Sequence, residues 1–188
     1  MTWETPTSMN VPQADSGVDA KRIEKQSRWD QNLKEIDRII DGLGLGVDNG
    51  IKETLAALMA YEVPTISSCE GHIDEEHGEP YPWVDVSAPE PEGWINDESK
   101  QQEWTKENLI LQQKINQLLS EFYQVNAVAP NEQIILQPKG IFGAFRLQGQ
   151  EAEGIKNLAP EQQKERLEAN RKVMESFAEF LKAKYFAE

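Results

Sequence analysis

Residues 65–87 read TISSCEGHIDEEHGEPYPWVDVS and contain two predicted β-strands joined by a polar loop. The first strand covers residues 65–69, whose small and β-branched side chains favour an extended backbone. The second covers residues 83–87, where the tryptophan and the aspartate share one face and the two valines share the other. The loop between them is rich in acidic residues, glycine and proline, which interrupt regular structure.

Outside this stretch, the spacing of apolar residues predicts four helices. Their predicted termini have recognisable signals: Gly42 can end the first helix, and Asp48 can cap the second. Ser99 and Gln102 form a capping box for the third helix, and Pro160 suits the first turn of the fourth. The predicted helices cover residues 17–41, 48–62, 99–123 and 160 to nearly the end of the chain.

A second pair of strands is predicted at residues 134–136 and 141–147, joined by a turn at residues 137–140 with proline and glycine. The fold class that follows is α+β, with about four mostly antiparallel strands in two hairpin-like pairs, covered by long helices. Residues 1–16 are polar and lack periodicity, and we interpret them as a flexible N-terminal arm. Residues 17–188 are expected to form a single α+β domain.

Composition restricts the partners of this 188-residue chain, whose formal net charge is −14. A negative field repels phosphate backbones and anionic membranes, so non-specific nucleic-acid binding is not expected. No stretch approaches the ~20 apolar residues of a membrane helix, and no secretory signal is visible. The single cysteine excludes an internal disulfide and fits a reducing compartment. We expect a soluble cytoplasmic protein, with a small-molecule ligand or a second copy of the chain as candidate partners.

The single cysteine and both histidines of the chain lie within nine residues of one another, at Cys69, His72 and His77. Thiolate and imidazole groups are the usual ligands of zinc and of related divalent transition metals. These three residues are therefore candidate metal ligands, with Asp85 or a carboxylate of the loop as a fourth. Three protein ligands and an open position would correspond to a catalytic zinc site.

A second interpretation is nucleophilic or acid–base catalysis by the same segment. Cys69 would be the nucleophile, His72 the base, and Glu70 an acid–base partner, in a hydrolytic or transfer reaction. Gly71 would let backbone N–H groups face an anion, which lowers a cysteine pKa. The spacing is unfavourable, because a base three residues from its nucleophile reaches it only if the loop curls back.

A third interpretation is a ligand pocket at the ends of the first two strands, with an aromatic wall and a few placed polar groups. Arg146 alternates with apolar neighbours along its strand, so it lies on the opposite face, where it could meet an anionic ligand or a carboxylate. The candidate binding residues are Ser67, Ser68, Gly71, Trp83, Asp85 and Arg146.

The alternative to all three is a structural role for the segment, in a non-enzymatic interaction or oligomerisation protein. A free cysteine is most often a small buried hydrophobic residue, and a run of acidic residues is most often a solvated loop tip. In that case the long helices would provide a dimer or partner surface.

Two resemblances involve the same segment. Residues 47–86, about a fifth of the chain, resemble a recurring segment of uncharacterised bacterial proteins whose specific part is Ser-Cys-Glu-Gly-His. That resemblance implies no assigned activity. Residues 65–71 are also similar to the Ser-Ser-Cys-Ser-Gly-Arg signature of the wybutosine-synthesis methyltransferases, which act on a modified guanosine of transfer RNA with S-adenosylmethionine.

The chain matches the methyltransferase signature at four positions and differs from it at two. Glu70 replaces a serine of the signature and His72 replaces its arginine. These differences, together with the net charge of −14, mean that the methyltransferase activity is not inferred for this chain. The matching positions are Ser67, Ser68, Cys69 and Gly71.

Overall fold

The computed structural model describes residues 16–40, 44–73 and 78–188. The predicted N-terminal arm lies outside this part of the chain apart from its last residue, and Gly42 and His77 also lie outside it. The helices and strands within it are α1 (Ser16–Ile36), α2 (Lys52–Ala60), β1 (Thr65–Cys69), β2 (Trp83–Val86), α3 (Glu98–Val125), β3 (Ile134–Lys139), β4 (Ala144–Gly149) and α4 (Pro160–Ala187).

The four strands form one antiparallel sheet in the order β1-β2-β4-β3. The pairs β1–β2 and β3–β4 are the two predicted hairpin-like pairs, and the α+β prediction is confirmed. The pairs join through β2 and β4, where Asp85 lies opposite Arg146 in the register. Because β2 and β4 are neighbours, polar residues that are distant in sequence lie on the same face of the sheet.

The main core lies between the other face of the sheet and the helices. Val84, Val86, Phe145 and Leu147 point into it, as the alternation of the strands predicted. Helix α1 also contributes, since Trp29 is buried against the rings near the end of α4. Short 3₁₀ turns connect several elements at Asn49–Ile51, Trp94–Asn96, Pro130–Glu132 and Ala152–Asn157.

The turn of the second hairpin was predicted at residues 137–140, and this was wrong. β3 continues to Lys139, and the turn occupies residues 140–143, with Gly140 and Gly143 at positive φ. Pro138 is accommodated inside the strand because β3 is at the edge of the sheet. Proline has no N–H donor, but on the outer side of an edge strand there is no neighbouring strand that needs one.

Two predicted helix caps were also wrong. Helix α3 is capped by Asp97, whose carboxylate accepts the backbone N–H groups of Ser99 and Lys100 at 3.0 and 3.3 Å. Asp48 precedes the 3₁₀ turn that leads into α2, but its side chain makes no capping hydrogen bond there. The carboxylate of Asp48 turns instead towards the end of β1, where the predicted site lies.

Candidate metal centre

The chain reverses sharply after β1, which ends at Cys69. Gly71 makes this reversal at φ +86°, in the left-handed region that a residue with a Cβ rarely adopts. A Cβ added there would lie 2.6 Å from Leu167 Cδ1 and 2.7 Å from the carbonyl carbon of Tyr81, so the backbone is also closely packed. The N–H of His72 then donates to the carbonyl of Glu79 at 2.8 Å, which holds the histidine near the strand end.

Among the described residues, three potential metal ligands meet at this reversal: the Asp48 carboxylate, the Cys69 thiol and the His72 imidazole. Their ligand atoms all lie within 4.8 Å of one another. Asp48 Oδ2 is 3.3 Å from His72 Nε2 and also accepts the backbone N–H of Glu70 at 3.1 Å. The loop does curl back, so the short sequence spacing does not separate the thiol from the imidazole.

Access to the cluster is one-sided. Cys69 is 6% exposed, whereas the side chains of Asp48 and His72 are 33% and 25% exposed. Gly78 lies against the thiol, because a Cβ added to it would come 3.2 Å from Cys69 Sγ. The sulfur therefore forms the inner end of the cluster, and the carboxylate and imidazole form its outer edge.

The environment of Cys69 favours a thiol over a free thiolate. Burial raises the pKa of Cys69, the N–H of Gly71 at 3.3 Å from the sulfur partly opposes this, and the negative charge of Asp48 raises it further. A nucleophilic cysteine requires the opposite shift. Coordination to a divalent cation would replace the thiol proton directly.

In the described structure, the side chain of Glu70 binds both the segment before α2 and Arg171 of α4. Its Oε2 accepts the backbone N–H of Gly50 at 2.6 Å, and its Oε1 lies 3.3 Å from Nη2 of Arg171. The same guanidinium donates from Nε to the carbonyl of Glu70 at 2.8 Å and from Nη2 to the carbonyl of Gly71 at 2.5 Å. Both carboxylate oxygens of Glu70 thus have partners at the turn, and its acid–base role stays a prediction.

Asp85 and Arg146 form a separate polar unit on the sheet face that Cys69 and Trp83 also share. Arg146 donates from Nε to Oδ1 of Asp85 at 2.6 Å and from Nη2 to Oδ2 at 2.8 Å. Ser67 Oγ also donates to Asp85 Oδ2, and the guanidinium of Arg146 lies 3.7 Å from the centre of the Trp83 ring. The Asp85 carboxylate holds the pKa of Arg146 above its ordinary value.

Of the residues predicted for the site, the described structure therefore brings Cys69 and His72 together and adds Asp48. Asp85 is not among the clustered ligands, and its carboxylate is engaged with Arg146. Ser68 pairs with Val84 and so points to the opposite face from Cys69. His77, the third predicted metal ligand, lies outside the described residues, as do the acidic residues 74–76.

Comparison with known proteins gives no relative for this α+β chain: no family model, no curated protein and no solved structure matches it. None of the described helices combines the length and the apolar character that crossing a membrane requires. Among the described residues, Asp48, Cys69 and His72 form a group that could hold a metal ion.

Proposed function

We propose that this protein binds a divalent transition metal, with zinc as the expected ion, through Asp48, Cys69 and His72. The observation that carries the proposal is the convergence of a carboxylate, a thiol and an imidazole within 4.8 Å. These are the three side-chain groups that zinc uses most often in proteins. They come from two segments, since Asp48 precedes α2, while Cys69 ends β1 and His72 follows it.

Charge balance supports a divalent cation. The Asp48 carboxylate and a Cys69 thiolate would provide two negative charges, and a neutral His72 imidazole would complete the set without adding a third. Removing the proton from a buried thiol is unfavourable beside a carboxylate, but a bound cation compensates both charges. The mixed sulfur, nitrogen and oxygen ligands also favour zinc over calcium or magnesium, which prefer oxygen alone.

The surroundings hold the ligands in place before any metal arrives. The N–H of Glu70 fixes one oxygen of Asp48, and the Glu79 carbonyl fixes the backbone of His72. Arg171 of α4 fixes the carbonyls of Glu70 and Gly71 within the turn. Hydrogen bonds of this kind around a metal site commonly raise its affinity 10- to 100-fold.

A zinc ion in a protein normally has four ligands, and the described cluster supplies three. If His77 is the fourth, the site is closed and its role is to hold the loop. If solvent or a substrate takes the fourth position, the site fits the hydrolytic or transfer chemistry expected from the sequence.

The proposal is tested by titrating the metal-free protein with Co²⁺, which reports thiolate coordination as a charge-transfer absorption band. We expect one ion per chain, and the band should disappear in Cys69→Ser. Asp48→Asn and His72→Gln should weaken binding about 10-fold or more, because each removes one ligand. Asp37→Asn is the matched control, since it neutralises a surface carboxylate that contacts Lys52 and is not in the cluster.

Two results would contradict metal binding at this site: a folded wild-type protein that takes up no Co²⁺ or Zn²⁺, or a cobalt spectrum unchanged by Cys69→Ser. His77→Ala then separates the two forms of the site. A changed cobalt spectrum in this variant identifies His77 as the fourth ligand, and an unchanged one leaves the fourth position to a loop carboxylate, solvent or a substrate.

A further inference from the structure

A second feature shares none of its described residues with the metal cluster. It is an open groove of about 1010 Å³ whose two walls are helices α1 and α3. The end of α2, the turn that follows it and residues 88–89 form its floor. Its apolar lining consists of Ile23, Met59, Val63, Pro64, Ala88, Pro89, Ile110 and Leu111.

The two walls expose large apolar side chains to the groove. Ile23 of α1 is 70% exposed and Ile110 of α3 is 54% exposed, although both are large aliphatic residues on well-formed helices. Helix α1 is anchored to the core by Trp29 and Ile36, so it is fixed in place while its Ile23 remains uncovered. Exposed apolar side chains that line a groove between two helices provide what helix-in-groove recognition requires.

Carboxylates dominate the edges of the groove. Among the described residues, four glutamates line it, and the one arginine of the described lining, Arg28, is 3.3 Å from Glu62 and so is already paired. The formal charge of the lining is therefore negative, in agreement with the charge of −14 on the whole chain. The lining glutamates are Glu24, Glu35, Glu62 and Glu107.

We propose that this groove docks a basic amphipathic helix of a partner protein. A space between two helices with an apolar floor accepts a third helix, whose diameter is roughly 10 Å, by insertion of residues at i, i+3, i+4 and i+7. Lysine and arginine side chains on the flanks of that helix would meet the four glutamates. Such complementary charge increases the association rate and excludes acidic partners.

The same charges argue against the other occupants of the groove. A second copy of the chain would carry its own net charge of −14 to an acidic rim, and an acidic peptide would be repelled in the same way. A nucleic acid would bring phosphates to the carboxylates and offer no apolar face to the isoleucines.

The experiment is selection from a phage-displayed library of random helix-length peptides on the immobilised protein, followed by fluorescence anisotropy with a synthetic selected peptide. We expect enrichment of peptides with helical apolar spacing and lysine or arginine between the apolar positions. Ile110→Asn should weaken binding of such a peptide about 10-fold or more. Glu107→Lys should weaken it several-fold and reduce its dependence on salt.

Matched controls lie elsewhere on the surface. Ile141→Asn removes an isoleucine that is 85% exposed in the β3–β4 turn, and Glu175→Lys reverses an exposed charge on α4. Neither should change the affinity by more than about twofold. The proposal is overturned if the library yields no basic amphipathic sequence, if a scrambled peptide of the same composition binds equally, or if Ile110→Asn behaves like Ile141→Asn. It is also overturned if sedimentation shows a dimer that Ile110→Asn dissociates, because a second copy would then occupy the groove.

Discussion

Asp48 and Glu70 link their two segments through backbone hydrogen bonds: Oδ2 of Asp48 accepts the N–H of Glu70 at 3.1 Å, and Oε2 of Glu70 accepts the N–H of Gly50, two residues after Asp48, at 2.6 Å. The two carboxylates therefore fasten the segment before α2 to the turn after β1. This reciprocal contact places Asp48 beside His72, so the position of one ligand depends on a residue that does not itself join the cluster.

Gly50→Ala tests this contact, because a Cβ at residue 50 would lie 2.6 Å from Oε2 of Glu70 and displace the carboxylate. We expect the free energy of unfolding to fall by about 2 kcal/mol, since a hydrogen bond to a charged group is lost. In a Glu70→Ala background the same change should be neutral or stabilising by up to ~1 kcal/mol, because alanine then only reduces the entropy of the unfolded chain. Urea unfolding of the four proteins in this double-mutant cycle measures the coupling.

Additive effects of the two substitutions would contradict the coupling. Glu62→Ala serves as the control, because it removes a surface pair whose side chains are 53% and 72% exposed. Pairs as exposed as this one contribute ~1 kcal/mol or less, so this control should change stability only slightly.

Much of the fold could be predicted because its determinants are local. The alternation in β2 and the helical spacing in α3 and α4 each follow from neighbouring residues, and the structure confirms them. The turn of the second hairpin was misplaced because the sequence around Pro138 does not reveal that β3 is an edge strand. That property arises only when the two strand pairs join, and it decides whether a proline is tolerated.

The candidate site could be predicted in part for the same reason. Cys69 and His72 are near one another in sequence, and Gly71 signals the reversal that brings them together. Asp48 could not be recognised, because an aspartate before a helix is equally well explained as a cap. Arg171 is a hundred residues beyond the turn, and only tertiary packing brings it to the carbonyls of residues 70 and 71.

Arg171→Met should weaken metal binding without removing a ligand. The substitution leaves the carbonyls of Glu70 and Gly71 and one oxygen of Glu70 without their donor, so the turn after β1 becomes less well fixed. We expect about a 10-fold loss of Co²⁺ affinity with the thiolate absorption band retained, together with a loss of about 1–3 kcal/mol of stability. Cobalt titration and urea unfolding of the same preparation measure the two effects.

Lys172→Met, at the next position of α4, is the control for this variant, because Lys172 is exposed. If Arg171→Met lowers stability but binds Co²⁺ as tightly as the wild type, the arginine has only a structural role and does not position the ligands.

The pair of Asp85 and Arg146 should behave as a buried unit, because their side chains are only 8% and 13% exposed. Asp85→Leu or Arg146→Met alone leaves one buried charge without its partner and should cost about 3–5 kcal/mol. The double variant should recover most of this loss, since the methionine keeps an apolar stem beside Trp83 and no charge remains. Thermal and urea unfolding of the three variants give the comparison, and a double variant less stable than either single one would contradict it.

Tyr123 should make stability decrease in the alkaline range. Its hydroxyl accepts the N–H of Ile134 at 2.6 Å and donates to the carbonyl of the same residue at 3.2 Å, and burial raises the pKa of Tyr123 to about 12. In the unfolded chain the phenol has its ordinary pKa of 10.0. Between about pH 10 and about pH 12 the unfolded state therefore loses this proton while the folded state keeps it, which favours unfolding as the pH rises.

Tyr123→Phe should remove this contribution, so its stability should fall less steeply than that of the wild type over the same pH interval. Tyr61 provides an independent comparison, because burial is also the main reason that its pKa is raised to about 12. Tyr61→Phe should also make the free energy of unfolding fall less steeply with pH. Among the wild type, the two single variants and the double variant, the double variant should show the smallest decrease. Urea titrations at a series of pH values measure these slopes, and parallel curves for wild type and Tyr123→Phe would show that the phenol ionises equally in both states.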